Sequence, residues 1–390
     1  MSVKSPSEDV ATPHIAPGVP RLEMRSGNWM VARGALAAGC GFFSGYPITP
    51  SSEIYSKMMA WLPERGGVAL GAPDEITALH YAVGAALTGR RAMTATSGPG
   101  WSLMIETVQY AVMTETPVVI VVVQRLGPAT GGATQGGQGD VLLVAHATSG
   151  GQPIPVLAPV DARDCYLLTA EAFRLAEELR TPVVVLSDKE IGMTIESVDL
   201  ASLPDVAWPA RPAPAAGERF VSYRIGSPDD VPAFAPVGGP HKVTVTGSAH
   251  DQEGRLRKND PETIRQIEHL TAKIAARSGD LERVRHRRAP GAEAVLISFG
   301  ISARTCREVA REAAAGGTPV DLLEVLSLFP VPREALARAT HGMKRVVIVE
   351  ENLTGLYAQE IRPFLRGASV RQVNAIGAMI TPHAIHEALR

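Results

Sequence analysis

Four features of this chain stand where alternating strands and helices would present them for chemistry: the hydroxyl of Thr49, the carboxyl of Glu75, the turn Ser97-Gly98-Pro99-Gly100 and the guanidinium of Arg125. Each follows an apolar run that reads as a strand. Gly41-Phe42-Phe43 leads into Gly45-Tyr46-Pro47-Ile48-Thr49-Pro50-Ser51-Ser52-Glu53, and residues 68–72 lead into Pro73-Asp74-Glu75. Residues 92–96 precede Ser97, and residues 118–123 precede Gln124-Arg125. In a parallel sheet the carboxyl ends of the strands converge on one rim, and that rim is where ligands bind. A carboxyl there can hold or pass a proton. Glycines allow close approach of the backbone, and a guanidinium matches the geometry of a carboxylate. Each feature also has a purely structural alternative. Glu75 can simply complement a helix N-terminus, Arg125 can pair with a surface acid, Thr49 can belong to a capped turn between two rigid prolines, and the glycines can be flexible only.

These positions require a scaffold, and the hydrophobic pattern supplies one. Over residues 26–203 expected strands (68–72, 92–96, 118–123, 156–158, 183–186) alternate with expected helices (28–38, 73–88, 101–113, 162–179). The run 118–123, Val-Val-Ile-Val-Val-Val, has the continuous β-branched character of a strand buried on both faces. Such alternation predicts a doubly wound parallel α/β sheet. Pro47 and Pro50 stop any helix before Ser51 or Ser52, either of which can cap the next one. Residues 204–240 are proline-rich and aperiodic, an extended linker. Residues 241–246 alternate like a short strand, His250-Asp251-Gln252-Glu253-Gly254 is a polar turn, and 261–276 is a charged helix. A second α/β unit follows, with strands near 294–299, 320–325, 346–349 and 370–374. The expected organisation is therefore an arm (1–25), a first domain (26–203), a linker and connecting segment (204–290) and a C-terminal α/β domain (291–390).

Composition removes several function classes. A net charge of −2 over 390 residues gives no reason to expect nucleic-acid binding. The longest apolar run is too short to span a bilayer. Residues 1–25 are rich in Pro, Ser and charge with no signal-peptide core, so they read as a flexible or partner-wrapping arm of a cytoplasmic protein. Cys40, Cys165 and Cys306 are isolated, with no Cys-x-x-Cys pair, so the chain alone builds neither an ordinary iron–sulfur cluster nor a cysteine zinc site, and no metal site is expected. There is no phosphate loop, no Gly-x-Gly-x-x-Gly after a first strand and no Gly-x-Ser-x-Gly elbow.

Taken together, residues 45–53, Asp74-Glu75-Ile76, Thr94-Ala95-Thr96-Ser97-Gly98-Pro99-Gly100 and Thr114-Glu115-Thr116-Pro117 resemble the α subunit of 2-oxoacid:ferredoxin oxidoreductases, most closely the 2-oxoglutarate type. The resemblance continues through Thr181-Pro182-Val183, Leu186-Ser187-Asp188, residues 250–254 and Val349-Glu350-Glu351-Asn352. It implies a thiamine-diphosphate-binding domain of the pyrimidine type, followed by a transketolase-C-like α/β domain. It further implies a β subunit that carries the diphosphate–Mg2+ site and a [4Fe-4S] cluster. Separate γ or δ subunits, ferredoxin or a similar acceptor, and coenzyme A as co-substrate complete the expected system. No Gly-Asp-Gly segment followed by paired Asn is present here, in keeping with half of an active site.

The resemblance assigns roles residue by residue. Glu75 would hydrogen-bond the aminopyrimidine ring nitrogen, favouring the tautomer that takes the cofactor's C2 proton. Arg125 would pair with the 2-oxoacid carboxylate, and Thr49 would hydrogen-bond substrate or cofactor. Pro47, Ile48, Ser97 and Gly98 would line the cofactor. The implied activity is coenzyme A-dependent oxidative decarboxylation of a 2-oxoacid, 2-oxoglutarate first. Alternatives are a branched-chain or aryl 2-oxoacid, or a non-catalytic assembly subunit. Pro73, the loop 129–139 and the segment 147–151 depart from the common 2-oxoglutarate pattern, and the two segments are expected to shape the acyl pocket.

Overall fold

The computed structural model describes residues 21–390 apart from 207–209, 216 and 368, so most of the expected N-terminal arm lies outside the described residues. The first unit runs β1 (Leu22–Ser26), α1 (Gly27–Ala37), β2 (Phe42–Gly45), α2 (Ser52–Glu64), β3 (Val68–Gly71), α3 (Glu75–Leu87), β4 (Ala92–Thr96), α4 (Gly98–Met113), β5 (Val118–Gln124), α5 (Val141–Ala145), β6 (Val156–Leu157), α6 (Ala162–Leu179), β7 (Pro182–Asp188), α7 (Lys189–Met193) and β8 (Ile195–Asp199). After an irregular stretch come α8 (Pro261–Ala275), α9 (Ser278–Leu281), β9 (Val284–Arg287), β10 (Ala294–Ser298), α10 (Ser302–Ala315), β11 (Asp321–Val325) and β12 (Ser327–Phe329). The chain ends with α11 (Arg333–Thr340), β13 (Arg345–Glu350), α12 (Leu356–Ile361), β14 (Val370–Asn374) and α13 (Pro382–Leu389).

The larger sheet has the order β12-β6-β7-β5-β4-β2-β3, parallel throughout except for β12. The second has the order β14-β13-β10-β11-β9, parallel except for β9. The doubly wound α/β expectation holds, and β5 shows why. Val118, Ile120 and Val122 join the core beneath α3 and α4, whereas Val119, Val121 and Val123 join the core beneath α1, α2 and α6. A strand with period two must be apolar at every position when helices cover both faces.

Four strands were not foreseen. β1 and β8 form an antiparallel ribbon, so residues 22–25 are strand rather than arm. β9 lies in the stretch read as connecting segment and pairs with β11. β12 leaves the second unit and adds to β6, so Leu328 and Phe329 share one core with Val144 and Ile154 of the first unit. The strand expected at 241–246 is absent: alternation without an edge to pair against leaves irregular chain, and here Ser222 Oγ accepts the Thr244 N–H at 3.0 Å instead.

The irregular stretch is held by buried charge. Arg211 pairs with Glu177 of α6 and donates to Ala86 O at 2.9 Å. Arg180 donates to Ala233 O at 2.8 Å and to Pro232 O at 3.2 Å. Lys273 of α8 donates to Glu115 Oε2 at 2.7 Å and to Arg180 O at 3.1 Å, with His269 Nε2 at 3.2 Å from the same Glu115 oxygen. Burial alone would raise the Glu115 carboxyl; the Lys273 ammonium, with His269 and Arg180, holds it well below the usual carboxylate range.

Candidate active site

Thr49, Glu75, Ser97 and Arg125 follow β2, β3, β4 and β5, so all four sit on the carboxyl rim of the larger sheet. Asp74 caps α3 by accepting the Thr77 N–H at 2.7 Å, which places Glu75 at the first helical position. Glu75 is buried and packs against the first turn of α4. A Cβ at Gly100 would lie 2.6 Å from Glu75 Cγ and 2.8 Å from its Oε1, and would also collide with Thr96 Oγ1, so glycine is required there. α4 begins at Gly98 rather than at 101. The Ser97–Gly100 turn is thus its cap and first turn, where Pro99 costs no hydrogen bond.

Arg125 Nη1 donates to Thr49 O at 2.6 Å and Nη2 to Thr130 O at 3.1 Å, which brings two of the expected residues into contact. Arg125 is buried, and its Nε–H has no partner. Ser97 Oγ is likewise buried and unpartnered. Pro47 is exposed, and Ile48 and Thr49 are half-buried. Ser51 precedes α2 without capping it; its Oγ donates to Ile48 O at 3.0 Å, and Glu53 accepts from Ser26 Oγ at 2.5 Å.

A cavity of about 510 Å³ opens on this rim. Gly98 and Arg125 line it, together with Leu126, Asp140, Glu351 and Leu353. Glu75, Thr49, Pro47, Ile48 and Ser97 do not line it. Glu75 packs against Gly100, two residues along α4 from the lining Gly98, and Thr49 O accepts from the lining Arg125. Ala129, Gly137 and Gly139 of the loop 129–139 line the cavity. The segment 147–151 does not. Ser149 N–H donates to Gln109 Oε1 at 3.1 Å, and Thr148, Ser149 and Gly150 border a separate cavity of about 590 Å³.

Three residues were given no role from the sequence: Asp140 and Glu351, which line the cavity, and Gln138, buried between two residues that line it. Gln138 joins the units: its N–H donates to Glu351 O at 2.7 Å, its Nε2 to Asp188 Oδ2 at 3.0 Å and to Phe299 O at 3.2 Å, and its Oε1 accepts from Glu351 N–H at 2.8 Å. Burial pushes the Glu351 carboxyl up to about 7. Burial likewise pushes Asp140 up to about 6, against the pull of Arg125. The signal for Asp140 and Gln138 was a short one, Gly-Gln-Gly-Asp at the end of a glycine-rich loop.

Residues 33–269 match the model for the pyruvate flavodoxin/ferredoxin oxidoreductase thiamine-diphosphate-binding domain, and residues 292–384 match that for pyruvate:ferredoxin oxidoreductase core domain II. The chain belongs to the 2-oxoacid:ferredoxin oxidoreductase family. It is 36% identical to the 2-oxoglutarate synthase subunit KorA of Methanothermobacter marburgensis, over 91% of this chain and 94% of that one. The KorA subunit of Archaeoglobus fulgidus is 37% identical, over 94% and 98%. The ketoisovalerate oxidoreductase subunit VorB of Methanothermobacter thermautotrophicus is 31% identical, over 91% and 93%. Among solved structures, a 2-oxoglutarate:ferredoxin oxidoreductase from Magnetococcus marinus, with 2-oxoglutarate, coenzyme A and succinyl-CoA bound, superposes with a TM-score of 0.89 at 28% identity, covering 100% of this chain and 68% of that one. A split-gene transketolase shares the fold alone, with a TM-score of 0.53 at 14% identity, over 93% and 98%. As a member of this oxidoreductase family, the chain is a subunit that works with partners. No helix among the described residues is long and apolar enough to cross a membrane.

Proposed function

We propose that this chain is the α subunit of a thiamine-diphosphate-dependent 2-oxoglutarate:ferredoxin oxidoreductase, oxidising 2-oxoglutarate to its acyl-coenzyme A thioester with loss of CO2. The observation that carries the reading is the shared rim: Glu75 locked against Gly100, and Arg125 locked to Thr49 at a cavity whose wall is Gly98. The greater identity to 2-oxoglutarate relatives than to the ketoisovalerate relative supports the substrate.

The residues present fit the pyrimidine half of thiamine diphosphate. Ser97 Oγ is an orphaned buried hydroxyl at the start of α4, and the buried Glu75 carboxyl packs on the same turn against Gly100. When bound, the cofactor supplies the nucleophilic carbon and the electron sink for decarboxylation. Glu75 holds and moves a proton at the ring nitrogen, with Pro47, Ile48, Ser97 and Gly98 around the ring. Arg125 has five N–H donors, of which carbonyls take two, so it retains donors for the oxoacid carboxylate. The half-buried Thr49 hydroxyl, with no hydrogen bond among the described residues, orients substrate or cofactor. A β subunit supplies the diphosphate–Mg2+ site and the [4Fe-4S] cluster, separate γ or δ subunits join where needed, ferredoxin takes the electrons and coenzyme A takes the acyl group. The three cysteines are free and buried, which fits a reducing compartment, and we place the enzyme in the cytoplasm.

The test is a panel of 2-oxoacids on the complex with its β subunit, with coenzyme A and a viologen acceptor. 2-Oxoglutarate should give the highest kcat/KM, and Arg125→Ala should raise KM for the oxoacid at least tenfold more than KM for coenzyme A. Preference for pyruvate or a branched-chain acid, or equal effects on the two KM values, would sink the substrate and anchor assignments respectively.

A further inference from the structure

Asp140, like Arg125, lines the cavity and carries a buried polar atom without a hydrogen-bond partner. A Cβ at Gly98 would lie 2.6 Å from both of its carboxyl oxygens, so the carboxyl lies against the first turn of α4, in the wall shared with Arg125. Its Oδ2 is sealed from solvent and has no hydrogen-bond partner. A buried carboxylate oxygen without a donor is costly, and the side chain is not placed to go and find one. Its own N–H is pinned to Gln124 Oε1 at 3.0 Å, and Gln124 Nε2 is in turn pinned to Asp188 Oδ1 at 3.1 Å. An oxygen sealed in this way, with no donor, favours the protonated form of the Asp140 carboxyl.

We propose that Asp140 forms, with Arg125, the two-sided seat of the oxoacid carboxylate, and that Asp140 takes up a proton from solvent when that anion binds. This rests on the reading of Arg125 as the carboxylate anchor. The titratable groups lining the cavity are Arg125 at the end of β5, Asp140 itself, and Glu351 beyond β13. Of these, Arg125 favours the charged form of Asp140, as does the N-terminus of α4. An oxoacid carboxylate on Arg125 removes that support and adds a second negative charge beside the first. Two carboxylates sharing one site do not both stay ionised. The solvent proton bonds to an oxygen of the Asp140 carboxylate, no bond is broken in the substrate, and the new O–H donates to the oxoacid carboxylate.

With the free carboxyl near 6 and the occupied one higher, binding at neutral pH takes up a proton, and affinity falls as pH rises between the two values. The sign follows from linkage: the bound state holds more protons, so alkali favours release.

The experiment is calorimetric titration of the α/β complex with 2-hydroxyglutarate, which carries the carboxylates but no keto carbon. It is run in phosphate and in Tris, whose heats of ionisation differ. Uptake approaching one proton per site is expected at pH 7, with Kd rising by up to about tenfold per pH unit above that. Asp140→Asn should abolish both effects, whereas Glu351→Gln should keep them; thermal unfolding checks that each variant is folded. Wild-type uptake near zero, uptake that survives in Asp140→Asn or vanishes in Glu351→Gln, or no binding of the hydroxy acid to a complex that turns over 2-oxoglutarate, each overturns the proposal. The wild-type measurement decides even if Asp140→Asn does not fold. A complex that turns over no 2-oxoacid at all refutes the proposed function instead, so the two failures are distinct.

Discussion

At the scale of single residues the rim works by contact between a carboxyl and a missing side chain, twice over. Glu75 fits because Gly100 has no Cβ, and Asp140 fits because Gly98 has none. Glu75→Gln keeps the shape and removes the proton. Steady-state turnover of the complex should fall by about 10²–10⁴, the usual worth of an acid–base group, with the melting temperature unchanged; near-normal turnover would remove Glu75 from that role. Gly100→Ala instead keeps the chemistry and pushes on Glu75 and Thr96 from inside a packed turn. Denaturant unfolding should show a loss of about 1–3 kcal/mol. Turnover should fall by up to about a hundredfold, because the carboxyl is displaced rather than deleted. The sequence made Thr49, Glu75, Gly98 and Arg125 legible because each follows a strand in an α/β pattern. Asp140 and Gln138 follow a loop without regular structure, and no periodicity says where such a loop folds back.

At the scale of elements, long helices and buried strands were readable, and short elements were not. The run 118–123 declared itself through six consecutive apolar residues. β9 and β12 did not, because Val284–Arg287 and Ser327–Phe329 become strands only by meeting an edge far away in sequence. The attachment of α8 was hidden for the same reason: His269 and Lys273 read as ordinary charges on an exposed helix until Glu115 is seen beneath them. Removing one partner of a buried pair leaves the other uncompensated. Lys273→Met should therefore cost about 3–5 kcal/mol in denaturant unfolding, against much less for Lys273→Met combined with Glu115→Gln. The sign with pH follows from Glu115. Its folded carboxyl is held below its unfolded value, so the stability it contributes is present above about pH 4.5 and is lost as pH falls below that. Wild-type melting temperatures measured from pH 7 to pH 3 should drop more steeply below about pH 4.5 than those of the double variant.

At the scale of the molecule, two α/β units share one core, and their seam ends at the cavity. The first unit brings Arg125 and Asp140, and the second brings Glu351, Asn352 and Leu353. Ile76 beside Glu75, Leu103 on α4 and Leu353 at the cavity are exposed apolar side chains. Cys40 lies before β2, Cys165 in α6 and Cys306 in α10; all three are buried, and burial pushes the thiols of Cys40 and Cys306 up to about 12. An ordinary cluster needs four thiolates on iron; burial also pushes the Cys165 thiol up, so all three stay protonated, and no group of His, Cys, Asp or Glu among the described residues could hold a metal ion. Purified alone, the chain should be colourless, contain no stoichiometric iron by metal analysis and reduce no viologen with any 2-oxoacid. Mixing it with its β subunit should restore turnover together with the brown absorbance. Iron bound to the isolated chain, or turnover without the partner, would mean that the site is complete in one polypeptide and that the rim described here is only part of it.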